Sequence, residues 1–230
     1  MEDQSLWYLE NLDINGLFCP KKLEKGGLER QSHRIYEKGA YIFLPDEQSD
    51  KIYLITQGRV KIGAFGDSGK EITKAILNEG EVFGELALIG ERKRRDFAMA
   101  MEPTELCILT VEDIKGLMRD HSSFSLFLMR ILGSRVLDME QRLESLVFKD
   151  SRTRIIEFLR ELAEKRGQRV GYEMVVRKFL THQEIANLTA TSRQTVTTVL
   201  NDLRNKNILT FNRRRLLIRD MDLLKQEALA

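Results

Sequence analysis

Residues 181–209 read THQEIANLTATSRQTVTTVLNDLRNKNIL. Thr181 can cap a helix through its hydroxyl, and Glu184 follows at the capping-box spacing. Ile185, Ala186 and Leu188 give that helix a short apolar face. Ser192 is a second candidate N-cap, after which Val196, Val199, Leu200 and Leu203 recur at helical spacing. The opposite face carries Arg193, Gln194, Thr197 and Thr198. Short or forked polar groups on one face and core residues on the other are what a helix needs to read base edges in a major groove. The stretch is expected to form two helices joined by a tight turn. Taken alone, it fits either a DNA-reading pair or two ordinary amphipathic helices.

The next residues, 208–218, read ILTFNRRRLLI. Two apolar runs flank Asn212-Arg213, which predicts a hairpin with Arg213, Arg214 and Arg215 at or beside its tip. A helix-turn-helix followed by a basic hairpin is a winged helix, whose wing meets phosphates. Here the chain resembles the Crp–Fnr family of bacterial transcription regulators. The resemblance covers most of the sequence, and SRQTV (192–196) is its most specific local mark.

The chain has 230 residues, 42% of them hydrophobic and 31% charged, as in a soluble globular protein of one or two domains. It has no apolar run long enough to span a membrane, and its acidic start lacks the pattern of a signal peptide. Cys19 and Cys107 make no disulfide framework, which points to the reducing cytoplasm. The small net charge of +2 hides an asymmetry. Between Lys149 and Arg219 there are 16 basic and 7 acidic residues, against 21 and 28 elsewhere. A basic C-terminal third on an acidic remainder suggests that this third meets a polyanion, a solvated basic surface being the plainer alternative.

Leu6, Trp7, Leu9, Leu12 and Ile14 fit an amphipathic helix. Some relatives in the resembled family carry an iron–sulfur cluster in this region, but a four-thiolate centre has only Cys19 here. From about Leu28 to Val111, short apolar runs separated by Gly, Pro, Asp and Asn argue for a β-sandwich or barrel. The resemblance implies a cyclic-nucleotide-binding jelly roll. Its effector site would lie in FGELALIGERKRRDFA (83–98), with Gly84, Glu85 and Leu86 opening a short helix toward a phosphate and Arg95 pairing with it. Asp96 replaces the usual small residue and sets a carboxylate beside that phosphate. Met139 and Glu140 stand where adenine-contacting hydroxyls are usual. Two readings stay open: a cyclic AMP site, or an internal polar network of Glu85, Arg95 and Asp96 in a pocket for another effector or none. Haem finds no His or Cys partner at metal-ligand spacing.

A long helix is expected from about Ser122 to Val147. Met129, Leu132, Val136, Met139, Leu143 and Leu146 recur at alternating spacings of three and four, a heptad seam suited to a parallel homodimer. Phe124, Phe127 and Leu128 are expected to pack back on the β-domain. Phe148-Lys149-Asp150 breaks the pattern, and Asp150 can cap the next helix. The fold class is therefore α+β. The expected parts are a sensor domain over residues 1–120, a dimerisation helix over 121–148 and a winged helix over 149–230. Gly167 and Gly171 are expected to punctuate a loop, followed by a strand over residues 173–180.

For DNA, the resemblance implies that Arg193 contacts guanine. Gln194 stands where Glu is common and Thr198 where Arg is common, so the target sequence differs from that of the best-known members. Ser192, Thr195, Gln183 and His182 are candidate phosphate contacts. Ala190 replaces a frequent turn glycine. Double-stranded DNA, a second copy of the chain, RNA polymerase and an unidentified small effector are the implied partners. No nucleophile–base pair or paired acids suggest an enzyme. The reading from another class is a ligand-sensing module that acts through protein–protein contacts, and a steep salt dependence separates the two.

Overall fold

The computed structural model describes residues 32–66 and 71–228. The expected N-terminal helix and Cys19 lie outside these residues. The chain divides into two compact units, Met1–Arg135 and Val136–Ala230.

Among the described residues, the first unit is built on eight short strands. They are β1 (Ser32–Tyr36), β2 (Tyr41–Phe43), β3 (Lys51–Gln57), β4 (Arg59–Phe65), β5 (Glu71–Asn78), β6 (Val82–Phe83), β7 (Phe97–Ala100) and β8 (Thr104–Thr110). They form two antiparallel sheets, ordered β1-β8-β3-β6 and β2-β7-β4-β5. β3 shows how the sheets are covered. Its residues 52–55 are all buried, because alternate side chains point to opposite faces. Tyr53 and Ile55 join Phe43, Val60, Leu77 and Ala98 between the sheets. Ile52 and Leu54 join Cys107, Leu109 and two helices on the other side.

Those helices are α1 (Val111–Asp120) and the start of α2 (Ser122–Phe148). Thr110 and Asp113 form a capping box on α1. Phe124 and Leu128 enter the core with Phe127 and Ile131 packed against it, as expected of the start of the long helix. Cys107 is fully buried and disulfide-bonded. Bridging depends on spatial approach, which spacing along the chain does not encode.

In the second unit α2 ends at Phe148, and the Asp150 side chain accepts from the Thr153 amide to cap α3 (Ser151–Arg166). The expected glycine-punctuated loop is instead a hairpin of β9 (Gln168–Val170) and β10 (Glu173–Arg177). Gly171 takes a φ of 64° at its turn. Next come α4 (His182–Leu188), α5 (Arg193–Asn205), β11 (Leu209–Phe211), β12 (Arg215–Ile218) and α6 (Met221–Glu227). One sheet, ordered β11-β12-β10-β9, carries the wing.

The turn between α4 and α5 is tight. Thr181 and Glu184 form the expected capping box on α4. Thr191 N donates to Ala186 O at 2.9 Å, and Ala190 sits at a φ of 50°. An L-residue in the left-handed region costs about 1–2 kcal/mol. Glycine would remove that cost while adding about 0.4–1 kcal/mol of unfolded-chain freedom. Ala190→Gly is therefore expected to raise the free energy of unfolding in urea by up to about 1.5 kcal/mol. A loss of stability would show that the Ala190 methyl group packs better than its backbone angle suggests.

Candidate nucleic-acid interface

The face of α5 is set by its buried side. Val196, Val199, Leu200 and Leu203 are in the core, and Arg193, Gln194 and Thr198 are exposed opposite them. Ser192 caps the helix by accepting from Thr195 N at 3.0 Å, and its hydroxyl meets that of Thr195 at 2.8 Å. Thr197 is half-buried; its hydroxyl donates to Arg193 O at 2.9 Å and lies 2.8 Å from His182 Nδ1. Gln183 is exposed at the start of α4, and its amide donates to Asn187 Oδ1 at 3.0 Å.

The wing is a β11–β12 hairpin. Asn212 Oδ1 accepts from Arg214 N at 2.8 Å and from Arg215 N at 3.0 Å, a side-chain turn that fixes the tip. Arg213, Arg214 and Arg215 are all exposed there. The root of the wing is aromatic. Phe211 lies 6.4 Å from Phe179 and 5.6 Å from the His182 ring, and the Arg204 guanidinium stands 5.4 Å over it. His182 thus touches both α5 and the wing, a link that helical periodicity alone does not reveal. Burial, and then the nearby Arg193 charge, hold its ring below the usual imidazole range.

Behind α5 the acidic groups are paired. Arg152 meets Asp202 at 2.7 Å and Glu227 at 2.5 Å, and Lys206 meets Glu227 at 2.8 Å. The hydrogen bond from Arg152 lowers the Asp202 carboxyl, and that from Lys206 lowers Glu227. This network ties α6 to α3 and α5.

The residues expected around an effector do not all meet. Gly84, at a φ of 82°, precedes a short 3-10 turn, Glu85–Ile89. A Cβ there would come within 2.9 Å of Lys51 O. Glu85 is buried and ion-paired with Arg135 of α2, which also donates to Val82 O at 2.5 Å. Leu86 is exposed. Arg95 has a side chain 68% exposed and pairs with Glu91. Asp96 pairs with Lys74 at 2.6 Å. Glu85, Arg95 and Asp96 therefore lie in three separate pairs rather than one network. Met139 and Glu140 are exposed on the part of α2 that belongs to the second unit.

The arginine that reaches the Gly84 turn is Arg94. It is only 6% exposed. Its guanidinium donates to Gly84 O at 3.1 Å and Lys51 O at 2.5 Å, and it lies 4.4 Å over the Phe43 ring. Among the described residues, its Nε is a buried polar atom without a hydrogen-bond partner. Burial lowers its proton affinity and raises the Tyr53 phenol to about 12. Alternation explains why Arg94 points inward while its neighbours do not. Residues 92–94 pair with 46–49 through Arg94 N to Glu47 O at 2.8 Å and Ser49 N to Arg92 O at 2.9 Å. That extended pairing sends Arg94 in and Lys93 and Arg95 out.

Comparison with known proteins agrees with this layout. Residues 33–121 match the family model described as a cyclic nucleotide-binding domain, and residues 153–227 match that of a Crp-like helix-turn-helix domain. The chain is 31% identical to a global nitrogen regulator of Synechocystis over 84% of its own length and 86% of the relative's. It is 32% identical to a cyclic AMP receptor protein of Thermus thermophilus over 85% of its length and 87% of the relative's. Among solved structures, a CooA variant from Carboxydothermus hydrogenoformans matches with a TM-score of 0.76 and 28% identity, covering 99% of this chain and 97% of that one. Given its sandwich, long helix and winged helix and these full-length likenesses, the chain belongs to the Crp–Fnr family of transcription regulators.

Proposed function

We propose that the chain acts in the cytoplasm as a homodimer that binds a palindromic DNA site and regulates transcription in response to an effector. The observation that carries this reading is the exposed row of Arg193, Gln194 and Thr198 on α5 beside the exposed arginines of the wing. In it, Arg193 reads guanine through its forked donors, Gln194 reads a neighbouring base, and Thr197 and Thr198 face the groove. Ser192, Thr195, Gln183, His182, Arg213 and Arg214 meet phosphates, which position the unit without reading sequence. RNA polymerase is the further partner that regulation requires. The domain assignment that goes with this is a sensor over residues 1–120, a dimerisation helix over 121–148 and a DNA-binding domain over 149–230.

The seam of α2 supports the homodimer. Met129, Val136, Met139, Leu143 and Leu146 are exposed, an apolar stripe that a second copy would cover. Leu143→Glu is expected to shift the protein to a monomer in sedimentation velocity while its circular dichroism stays native. A variant that stays dimeric would place the interface elsewhere.

For DNA, Arg193→Ala is expected to cost about 1–3 kcal/mol on the selected site and much less on random duplex. An equal loss on both would mean that Arg193 only touches phosphate. Wild-type affinity should also fall steeply as salt rises, through counterion release. A flat salt response would favour the protein-interaction reading.

The sensor end of the proposal rests on Gly84, Glu85, Leu86 and Arg95, with Arg135 already neutralising Glu85 and Asp96 held by Lys74. An anionic effector would meet the exposed Arg95 in exchange for its Glu91 partner and compete for or share the Glu85–Arg135 pair. Fluorescence anisotropy on the selected duplex, with and without millimolar cyclic AMP, tests the nucleotide. Severalfold tightening is expected if this turn holds a cyclic phosphate. Unchanged binding assigns the turn to another effector.

A further inference from the structure

Among the described residues, one hydrogen bond holds the ring of His182. Its Nδ1 lies 2.8 Å from the Thr197 hydroxyl. That hydroxyl has a single proton and donates it to Arg193 O at 2.9 Å. With that proton on Arg193 O, the hydrogen bond to His182 runs the other way, Nδ1–H donating and Thr197 Oγ1 accepting. In this arrangement Nδ1 of the neutral ring carries the proton and Nε2 carries a bare lone pair. Phe211 covers the ring at 5.6 Å, edge to face. Nε2 lies across the ring from the Thr197 bond, and the residue is only half-buried.

A neutral ring in this tautomer is a poor phosphate contact. Phosphate oxygens are acceptors, and a lone pair facing them repels. A second proton changes Nε2 into a charged donor without disturbing the bond from Nδ1 to Thr197. The charged groups around the ring come from each neighbouring element. Arg193 and Arg204 lie on α5, Arg204 over the Phe211 ring. Glu184 on α4 is committed to the Thr181 amide and hydroxyl at 2.7 and 2.9 Å. Burial, and then the Arg193 charge, disfavour the charged ring in the free chain, and DNA phosphates would offset that charge.

We propose that His182 makes DNA binding by this chain proton-linked: the ring takes up a proton when the duplex docks, and Nε2–H then donates to a phosphate while Nδ1–H goes on holding Thr197. The inference rests on the DNA-binding reading above and adds the pH control of its interface. The sign is specific. Affinity rises as pH falls between the free and DNA-bound titration points of the ring, by at most about tenfold per pH unit for one proton. Stability runs the other way. The folded ring titrates below its unfolded value of about 6.5, so the free chain loses stability as pH falls through that value.

The test is anisotropy of the full chain on its selected duplex from pH 6.0 to 8.5 at constant ionic strength, read beside the proton titration of the His182 ring by NMR with and without duplex. Wild type is expected to tighten severalfold as pH falls, and the ring's titration point is expected to rise on adding duplex. His182→Asn keeps a donor for Thr197 but cannot take up a proton, so it should remove that part of the pH slope. His182→Arg should bind tightly at pH 8 with the same flat profile. Steeply salt-dependent binding with a pH slope unchanged in His182→Asn, or a ring titration point unmoved by duplex, overturns this inference and leaves the DNA reading intact. Absence of duplex binding at every pH overturns both. Should His182→Asn fail to fold, the ring titration of the wild type decides the matter alone.

Discussion

One guanidinium sets the geometry on which the reading helix depends. Arg154 of α3 donates through Nε to Thr189 O at 3.0 Å and through Nη2 to Ala190 O at 3.1 Å, and through Nη1 to Lys149 O at 2.7 Å. Carbonyls at the ends of helices lack partners within the helix, and leaving them unpaired is costly. Here a single planar fork satisfies carbonyls from two such ends: the end of α2 and the turn after α4. The left-handed backbone at Ala190 and the direction of α5 both follow from that turn. Arginine suits the position because its donors are fixed in one plane, whereas a lysine presents one point charge on a flexible stem.

Electrostatics in the second unit are sorted by face. Asp202 and Glu227 are bound to Arg152 and Lys206 behind the reading helix, while Arg193 and the wing arginines stand on the other side. Local pairing removes the carboxylates from play and leaves the cations that a polyanion would meet.

Much of this was legible in the chain. The caps at Thr181, Ser192 and Asp150 and the apolar spacing on α5 are local signals, and local signals survive folding. The long helix was readable because its seam repeats. Four things were not. The β9–β10 hairpin hides behind glycines that read equally well as a loop. The Cys107 bridge depends on spatial approach. In the run 91–96 of glutamate, arginine, lysine and aspartate, composition alone gives no sign of which cation turns inward. Pairing of residues 92–94 with 46–49 decides that, and it turns Arg94 inward and leaves Arg95 exposed. The link from His182 to Thr197 joins residues 15 positions apart and was equally out of reach.

β3 has a consequence for how the first unit fails. Its four central residues serve two cores at once, Tyr53 and Ile55 on one side and Ile52 and Leu54 on the other. A slip of one residue in its pairing would swap these sets and spoil both cores together. Neither core therefore has an independent existence, and a half-assembled sandwich with one layer intact is not a stopping point. A protease meeting this unit would find it either closed or wholly open, so partial digests that retain one sheet should not accumulate.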